Sequence, residues 1–127
     1  MNSVLPLKGA SVLEIGAGTG CSSIPLLESG ARVTSIDISD VDLQIAKLRA
    51  DLHGVADRAS SHRVNAADIG NVFANSKFDL IVYFASLEHM THQERIMSLR
   101  AAWSLLSPGQ FLAICDTPNR LWYYDAE

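Results

Sequence analysis

Residues 12–20, Val12-Leu13-Glu14-Ile15-Gly16-Ala17-Gly18-Thr19-Gly20, followed by Asp37 at the close of the next apolar stretch, decide how this chain is read. The apolar run up to Ile15 suits a buried parallel strand. Three glycines at alternate positions let the backbone turn tightly and approach a ligand with no Cβ in the way. A helix is expected from about Gly20. A carboxylate about twenty residues beyond the first glycine, closing a second strand, is where a ribose diol is held by two charge-assisted hydrogen bonds. This arrangement predicts a nucleoside-cofactor site and leaves two cofactors open, a dinucleotide or S-adenosylmethionine.

Two details separate them. The dinucleotide fingerprint is G-x-G-x-x-G, whereas the spacing here is G-x-G-x-G, with Cys21 where the last glycine falls. Glu14 also stands beside the glycine turn, where it faces a pyrophosphate in one case and a cationic amino acid end in the other. Like charges ~5 Å apart at an effective dielectric of ~20 repel by roughly 3 kcal/mol, which disfavours pyrophosphate. The alternative for Glu14 is an outward side chain that solvates a strand end.

The length of 127 residues predicts a single domain, 1–127, with a real core. A net charge of −4 with ten Lys and Arg leaves no basic stripe, so a nucleic-acid backbone is not an expected partner. Cys21 and Cys115 are too few for a disulfide framework and read as small apolar residues of a reduced, cytoplasmic protein. No apolar run approaches ~18 residues, and the start Met1-Asn2-Ser3-Val4 has no basic region before an apolar segment, so neither membrane span nor leader is expected.

Strand and helix patterns alternate along the chain, which predicts a Rossmann-like α/β fold with a doubly wound parallel sheet. The first strand is expected over 11–15. The helix after it carries Ile24 and Leu27 inward and starts near Ser23, so that Pro25 falls harmlessly in its first turn. The second strand is expected over 31–36. Ser39 then caps a helix whose buried face is Val41, Ile45, Leu48 and Leu52, with Gly54 as its stop. The third strand, 60–65, is polar and belongs at a sheet edge. The fourth, 78–84, is apolar almost throughout and belongs at the centre. Thr91-His92-Gln93-Glu94 has the form of a capping box, opening a helix with Ile96, Leu99, Trp103 and Leu106 inward. Ser107-Pro108-Gly109 ends it, and 111–115 is the fifth strand. The implied strand order is 3-2-1-4-5, which places a ligand over the C-terminal ends of strands one and four.

Four segments in this order, VLEIGAGTG at 12–20, SIDIS at 35–39, FDLIVYFASLEHM at 78–90 and LLSPGQFLAI at 105–114, resemble the class I S-adenosylmethionine-dependent methyltransferases, in particular their broad small-molecule group. Gln110 replaces a glycine usual in the last segment. The resemblance implies S-adenosylmethionine as cofactor and methyl transfer to a small organic acceptor. It implies that Gly16, Ala17 and Gly18 pack their backbone against the methionine end, that Glu14 helps hold the ammonium group, and that Asp37 binds the ribose hydroxyls. Ile38 would lie against adenine. Asp68, with Ile69 beside it, resembles the residue that accepts from the adenine amino group, a helix N-cap being the alternative. Phe84 and Ala85 would border the sulfonium and the reacting methyl.

Methyl transfer is a direct displacement, so the protein's main task is to align the acceptor and exclude water. An oxygen acceptor gives up a proton, and His89 is the best-placed general base, since an imidazole can take up a proton near neutral pH. The other reading is that His89 and Glu88 only orient the loop. His89 and His92 form an H-x-x-H pair, yet its spacing crosses a loop-to-helix boundary and no second ligand cluster accompanies it, so no metal is expected. The segment Phe84-Ala85-Ser86-Leu87-Glu88 lacks the Asn-Pro-Pro-Tyr or Pro-Cys signatures of nucleobase-modifying relatives. Domains of the resembled family carry seven strands, and this chain reaches only five. The fifth is then expected as an exposed apolar edge, with Pro118 to Tyr124 as a candidate cover. A non-catalytic cofactor-binding module is the second functional reading, and a nicotinamide-dependent oxidoreductase the third.

Overall fold

The computed structural model describes residues 5–115. Five strands form one parallel sheet: β1 (Ser11–Ile15), β2 (Arg32–Asp37), β3 (Ala59–Arg63), β4 (Phe78–Phe84) and β5 (Leu106–Cys115), in the order β3-β2-β1-β4-β5. Four α-helices complete it: α1 (Ser23–Glu28), α2 (Asp40–Leu52), α3 (Ile69–Val72) and α4 (His92–Leu105). The expected strand order is therefore the one observed, α1, α2 and α4 lie where helices are expected, and α3 is a further short helix.

The alternation of side chains along a strand gives each face its own core. Val12, Val33, Leu80 and Val82 meet Ile24 and Leu27 of α1 and Ala50 of α2. Leu13, Ile15, Ile36, Ile81 and Tyr83 meet Ile69 of α3 and Ala102 and Leu105 of α4. Local capping follows the sequence as expected. Ser39 Oγ accepts from Asp42 N–H at 3.2 Å. Thr91 Oγ1 accepts from Glu94 N–H at 3.2 Å while Glu94 Oε2 accepts from Thr91 N–H at 2.8 Å, the reciprocal pair of a capping box.

The buried faces of the two long helices differ from expectation. In α2, Leu43, Ala46 and Ala50 face the sheet, while Val41, Ile45, Leu48 and Leu52 face outward. Small side chains win the inner face because the helix passes so close to the glycine turn that a Cβ on Gly20 would lie 2.9 Å from Ala46 Cβ. In α4, Ser98, Ala102 and Leu105 are buried, Leu99 is half-buried, and Trp103 is 73% exposed. Ser98 turns inward because its hydroxyl partners the Tyr83 hydroxyl at 2.6 Å in the core.

The strand ends also shift. β2 runs one residue later than expected, and β3 ends at Arg63, leaving Val64 and Asn65 in the connection that follows. Ser107-Pro108-Gly109 does not precede the last strand but lies within it. Leu106 pairs with Phe78 and Phe111 with Leu80, so residues 107–110 bulge opposite Asp79. β3 and β5 are the two edges among the described residues, and Phe111 and Ile114 of β5 are exposed at 38% and 48%. The candidate cover, Pro118 to Tyr124, lies outside the described residues. No helix among the described residues is long and apolar enough to cross a membrane.

Candidate cofactor site

β1 stops at Ile15 because the next backbone positions turn left-handed, with Gly16 at φ +73° and Gly18 at φ +53°. The turn is tied to β2. Gly16 N–H and Ala17 N–H both donate to Ile36 C=O at 3.0 Å, and Gly18 N–H donates to Asp37 Oδ2 at 2.9 Å. Asp37 Oδ1 also accepts from Ser39 N–H at 3.0 Å. The two glycines serve different ends. A Cβ on Gly16 would lie 2.5 Å from Ser86 Cβ, whereas a Cβ on Gly18 would meet nothing within 4 Å. The first lets two connections touch, and the second leaves an open backbone surface.

Across the sheet, Ala85 takes φ 48° without being glycine, a conformation that costs of order 1–3 kcal/mol. Its N–H donates to Cys115 C=O at 2.9 Å, which helps hold that bend. The bend lets the chain leave β4 sharply and pass Ser86 over the glycine turn.

Between these connections lies a cavity of about 280 Å³. Gly16, Ile36, Asp37 and Ile38 form one wall, and Val64, Asn65 and Ala66 a second. Ala85, Ser86, His89, Met90 and Glu94 form the third. It sits at the C-terminal ends of β1, β2 and β4, where the strand order reverses. Among the described residues the lining carries the carboxylates of Asp37 and Glu94 and no lysine or arginine, so this part of it disfavours anions. Hydrogen bonding from Thr91 holds the Glu94 carboxyl below the usual range.

Of the residues singled out in the sequence, Gly16, Asp37, Ile38, Ala85 and His89 come together here. The others stand elsewhere. Glu14 is fully buried on the opposite face, where the hydroxyls of Ser22 and Ser23 donate to its carboxylate, so it is not the outward strand-end residue of the alternative reading. Burial pushes its pKa up, against the lowering effect of the serine hydrogen bonds. Ala17 is buried within the turn, and Gly18 lies next to it outside the cavity wall. Asp68 is exposed, at the N-cap position of α3 but with no side-chain capping bond, and Ile69 is buried in the core. Phe84 is 42% exposed and points to the face opposite Tyr83. The His89 side chain is 80% exposed, with Nε2 3.9 Å from Glu88 Oε1, beyond hydrogen-bonding distance.

The sequence reading missed Asn65, Ser86, Met90 and Glu94. Asn65 Oδ1 accepts from Ala67 N–H at 2.9 Å and its side chain also bonds Glu94, which fixes it at the cavity wall. A polar residue just after a polar edge strand was the available signal. Ser86 Oγ is buried and has no hydrogen-bond partner among the described residues, and the same holds for Glu88 Oε2. An orphaned buried hydroxyl on a cavity wall is a site where a polar ligand atom removes a desolvation penalty of about 1–3 kcal/mol. Among the described residues no three His, Cys, Asp or Glu side chains gather as metal ligands.

Known proteins share this frame. A family model described as a methyltransferase domain matches residues 12–109. A ubiquinone biosynthesis O-methyltransferase of Cereibacter sphaeroides is 32% identical over 120 residues, covering 94% of this chain and 46% of that protein. The chain thus spans about half the length of such relatives. The structure of an S-adenosylmethionine-dependent methyltransferase from Thiobacillus denitrificans, in complex with S-adenosylhomocysteine, matches with a TM-score of 0.69 and 26% identity, covering 84% of this chain and 42% of that one. The [4+2]-cyclase SpnF matches with a TM-score of 0.76 and 26% identity over 84% of this chain and 38% of its own.

Proposed function

This chain belongs to the methyltransferase domain family, and on that premise we propose that it binds S-adenosylmethionine and serves methyl transfer to a small organic acceptor. The observation that carries the reading is the cleft at the switch point, bordered by the Gly16 turn, the Asp37 carboxylate and the Ala85–Ser86 bend. Its donor set fits such a cofactor. Asp37 is an acceptor for ribose hydroxyls, since a carboxylate offers about four lone-pair sites and two are used by Gly18 and Ser39. Ile38, 67% exposed, offers an apolar surface for a purine, and Asn65 and Ala66 line the same cavity. The open backbone at Gly18 and the lone hydroxyl of Ser86 lie toward the methionine end of this arrangement. Glu14 acts from behind, fixing the start of α1 beneath the turn through Ser22 and Ser23.

When bound, the cofactor supplies a methyl group activated by a positive sulfur. The chain's residues then position and desolvate. Ala85 and Ser86 border the reacting end, and His89, on the cavity wall, accepts a proton at an imidazole nitrogen when the acceptor is a hydroxyl.

Because SpnF shares this frame and is described as a cyclase, fold alone does not set the chemistry. The test is calorimetric titration of the chain with S-adenosylmethionine, S-adenosylhomocysteine and NADH, followed by a methyl-transfer assay with candidate acceptors. Binding of the first two with turnover supports the proposal. Binding without turnover reduces the chain to a cofactor-binding module, and NADH binding alone overturns the reading.

A further inference from the structure

Helix α2 is apolar on two opposite faces, and only one of them meets the rest of the described chain. Leu43, Ala46 and Ala50 pack inward. On the other side Val41, Ile45, Leu48 and Leu52 are 65%, 38%, 64% and 87% exposed. They follow at spacings of four, three and four residues, the seam spacing of two helices packed along their lengths. A helix that is apolar on opposite sides is one that is covered on both. Scattered exposed leucines mean little, but an unbroken row along a thirteen-residue helix forms a contiguous patch.

The flanks of this seam indicate what covers it. Asp42 and Arg49 lie on one side, and Gln44 and Asp51 on the other. A two-fold axis crossing the middle of the helix sets it antiparallel against a copy of itself. Val41 then meets Leu52, Ile45 meets Leu48, and each flank meets its own counterpart. Asp42 faces Arg49 of the copy, and Gln44 faces Asp51 of the copy, each contact occurring twice. Such self-complementarity is what an isologous interface requires and what an unrelated partner does not. Arg49 also donates from Nε to Thr19 C=O of its own chain at 3.1 Å.

We propose that the outer face of α2 docks a second copy of this chain as an antiparallel two-fold dimer. A helix of this length is about 20 Å long and roughly 10 Å wide. That is less than the ~800 Å² each partner gives to a stable interface. The dimer is therefore weak and concentration-dependent.

Sedimentation equilibrium of the wild-type chain from micromolar to millimolar concentration reads this out. A monomer–dimer equilibrium is expected, and Leu48→Glu stays monomeric throughout with an unchanged thermal melt, since Leu48 is exposed. Asp42→Arg and Arg49→Asp each shift toward monomer alone, and mixing the two restores a dimer, because both charge contacts then pair Arg with Asp. Should Arg49→Asp lose its fold with the Thr19 bond, Gln44→Lys serves instead. It places a lysine opposite Asp51 and tightens the dimer severalfold. A wild type that stays monomeric, a dimer that survives Leu48→Glu, a mixture that stays monomeric, or an unchanged dissociation constant in Gln44→Lys overturns the proposal.

Discussion

The carboxylate of Asp37, at the end of β2, accepts a hydrogen bond from the backbone N–H of Gly18 at 2.9 Å, nineteen residues earlier in the chain. The residue that faces the cavity also fixes the shape of the glycine turn. Asp37→Ala is therefore expected to weaken S-adenosylmethionine binding by about 1.5–3 kcal/mol, the usual worth of hydrogen bonds to a charged group. That is roughly a tenfold to 150-fold rise in Kd. Calorimetric titration checks it, and an unchanged Kd removes Asp37 from the site.

Gly16→Ala brings a Cβ to 2.5 Å from Ser86 Cβ in a backbone that stays at φ +73°. Overpacking of this kind costs about 1–3 kcal/mol. Urea unfolding of Gly16→Ala, Ser86→Gly and the double variant forms a cycle in which the double costs less than the sum, because Ser86→Gly relieves the steric part and leaves the strained φ. Strict additivity would mean that the two connections do not touch in solution.

Burial of Glu14 holds its pKa above the usual carboxylate range. The native chain thus binds more protons than the unfolded chain between the two pKa values. Its stability contribution is complete below the unfolded pKa and declines as pH rises through the folded one. Denaturant midpoints measured across the acid range should show this decline in the wild type and not in Glu14→Gln. Parallel curves for the two proteins would place Glu14 in water.

Leu105 is 3% exposed and Trp103 73%. Leu105→Ala is expected to cost about 2–5 kcal/mol as a core truncation. Trp103→Gln stays within about 0.5 kcal/mol as a surface change. Chemical denaturation separates the two, and a costlier Trp103→Gln would restore the helix face expected from periodicity.

Much of this architecture is legible before any coordinates. β1, β4 and the start of α1 fall where the sequence puts them, because apolar runs, a capping serine, a glycine stop and a capping box are local signals acting within a few residues. The glycine turn and Asp37 are legible for the same reason, since left-handed backbone and a strand-end carboxylate have few other uses.

The helix faces, the side taken by Glu14 and the third wall of the cavity are different. Val41, Ile45, Leu48 and Leu52 form as good a stripe as Leu43, Ala46 and Ala50, and only the tight approach of α2 to Gly20 selects the face with small side chains. Ser98 displaces Trp103 from the core because the Tyr83 hydroxyl, distant in sequence, requires a partner. Glu14 turns toward Ser22 and Ser23 instead of the cavity because strand alternation puts it on the face of Val12 and α1. Asn65, Ser86 and Glu94 become neighbours only because β3 and β4 end, and α4 begins, at one edge of the sheet. The order of the strands and the glycine turn are readable in the sequence, since they follow from local backbone preference and parallel winding, whereas the bounds of β2, β3 and β5 shift with their pairing. Tertiary structure alone decided which side chains face one another, because that depends on how closely the elements pack.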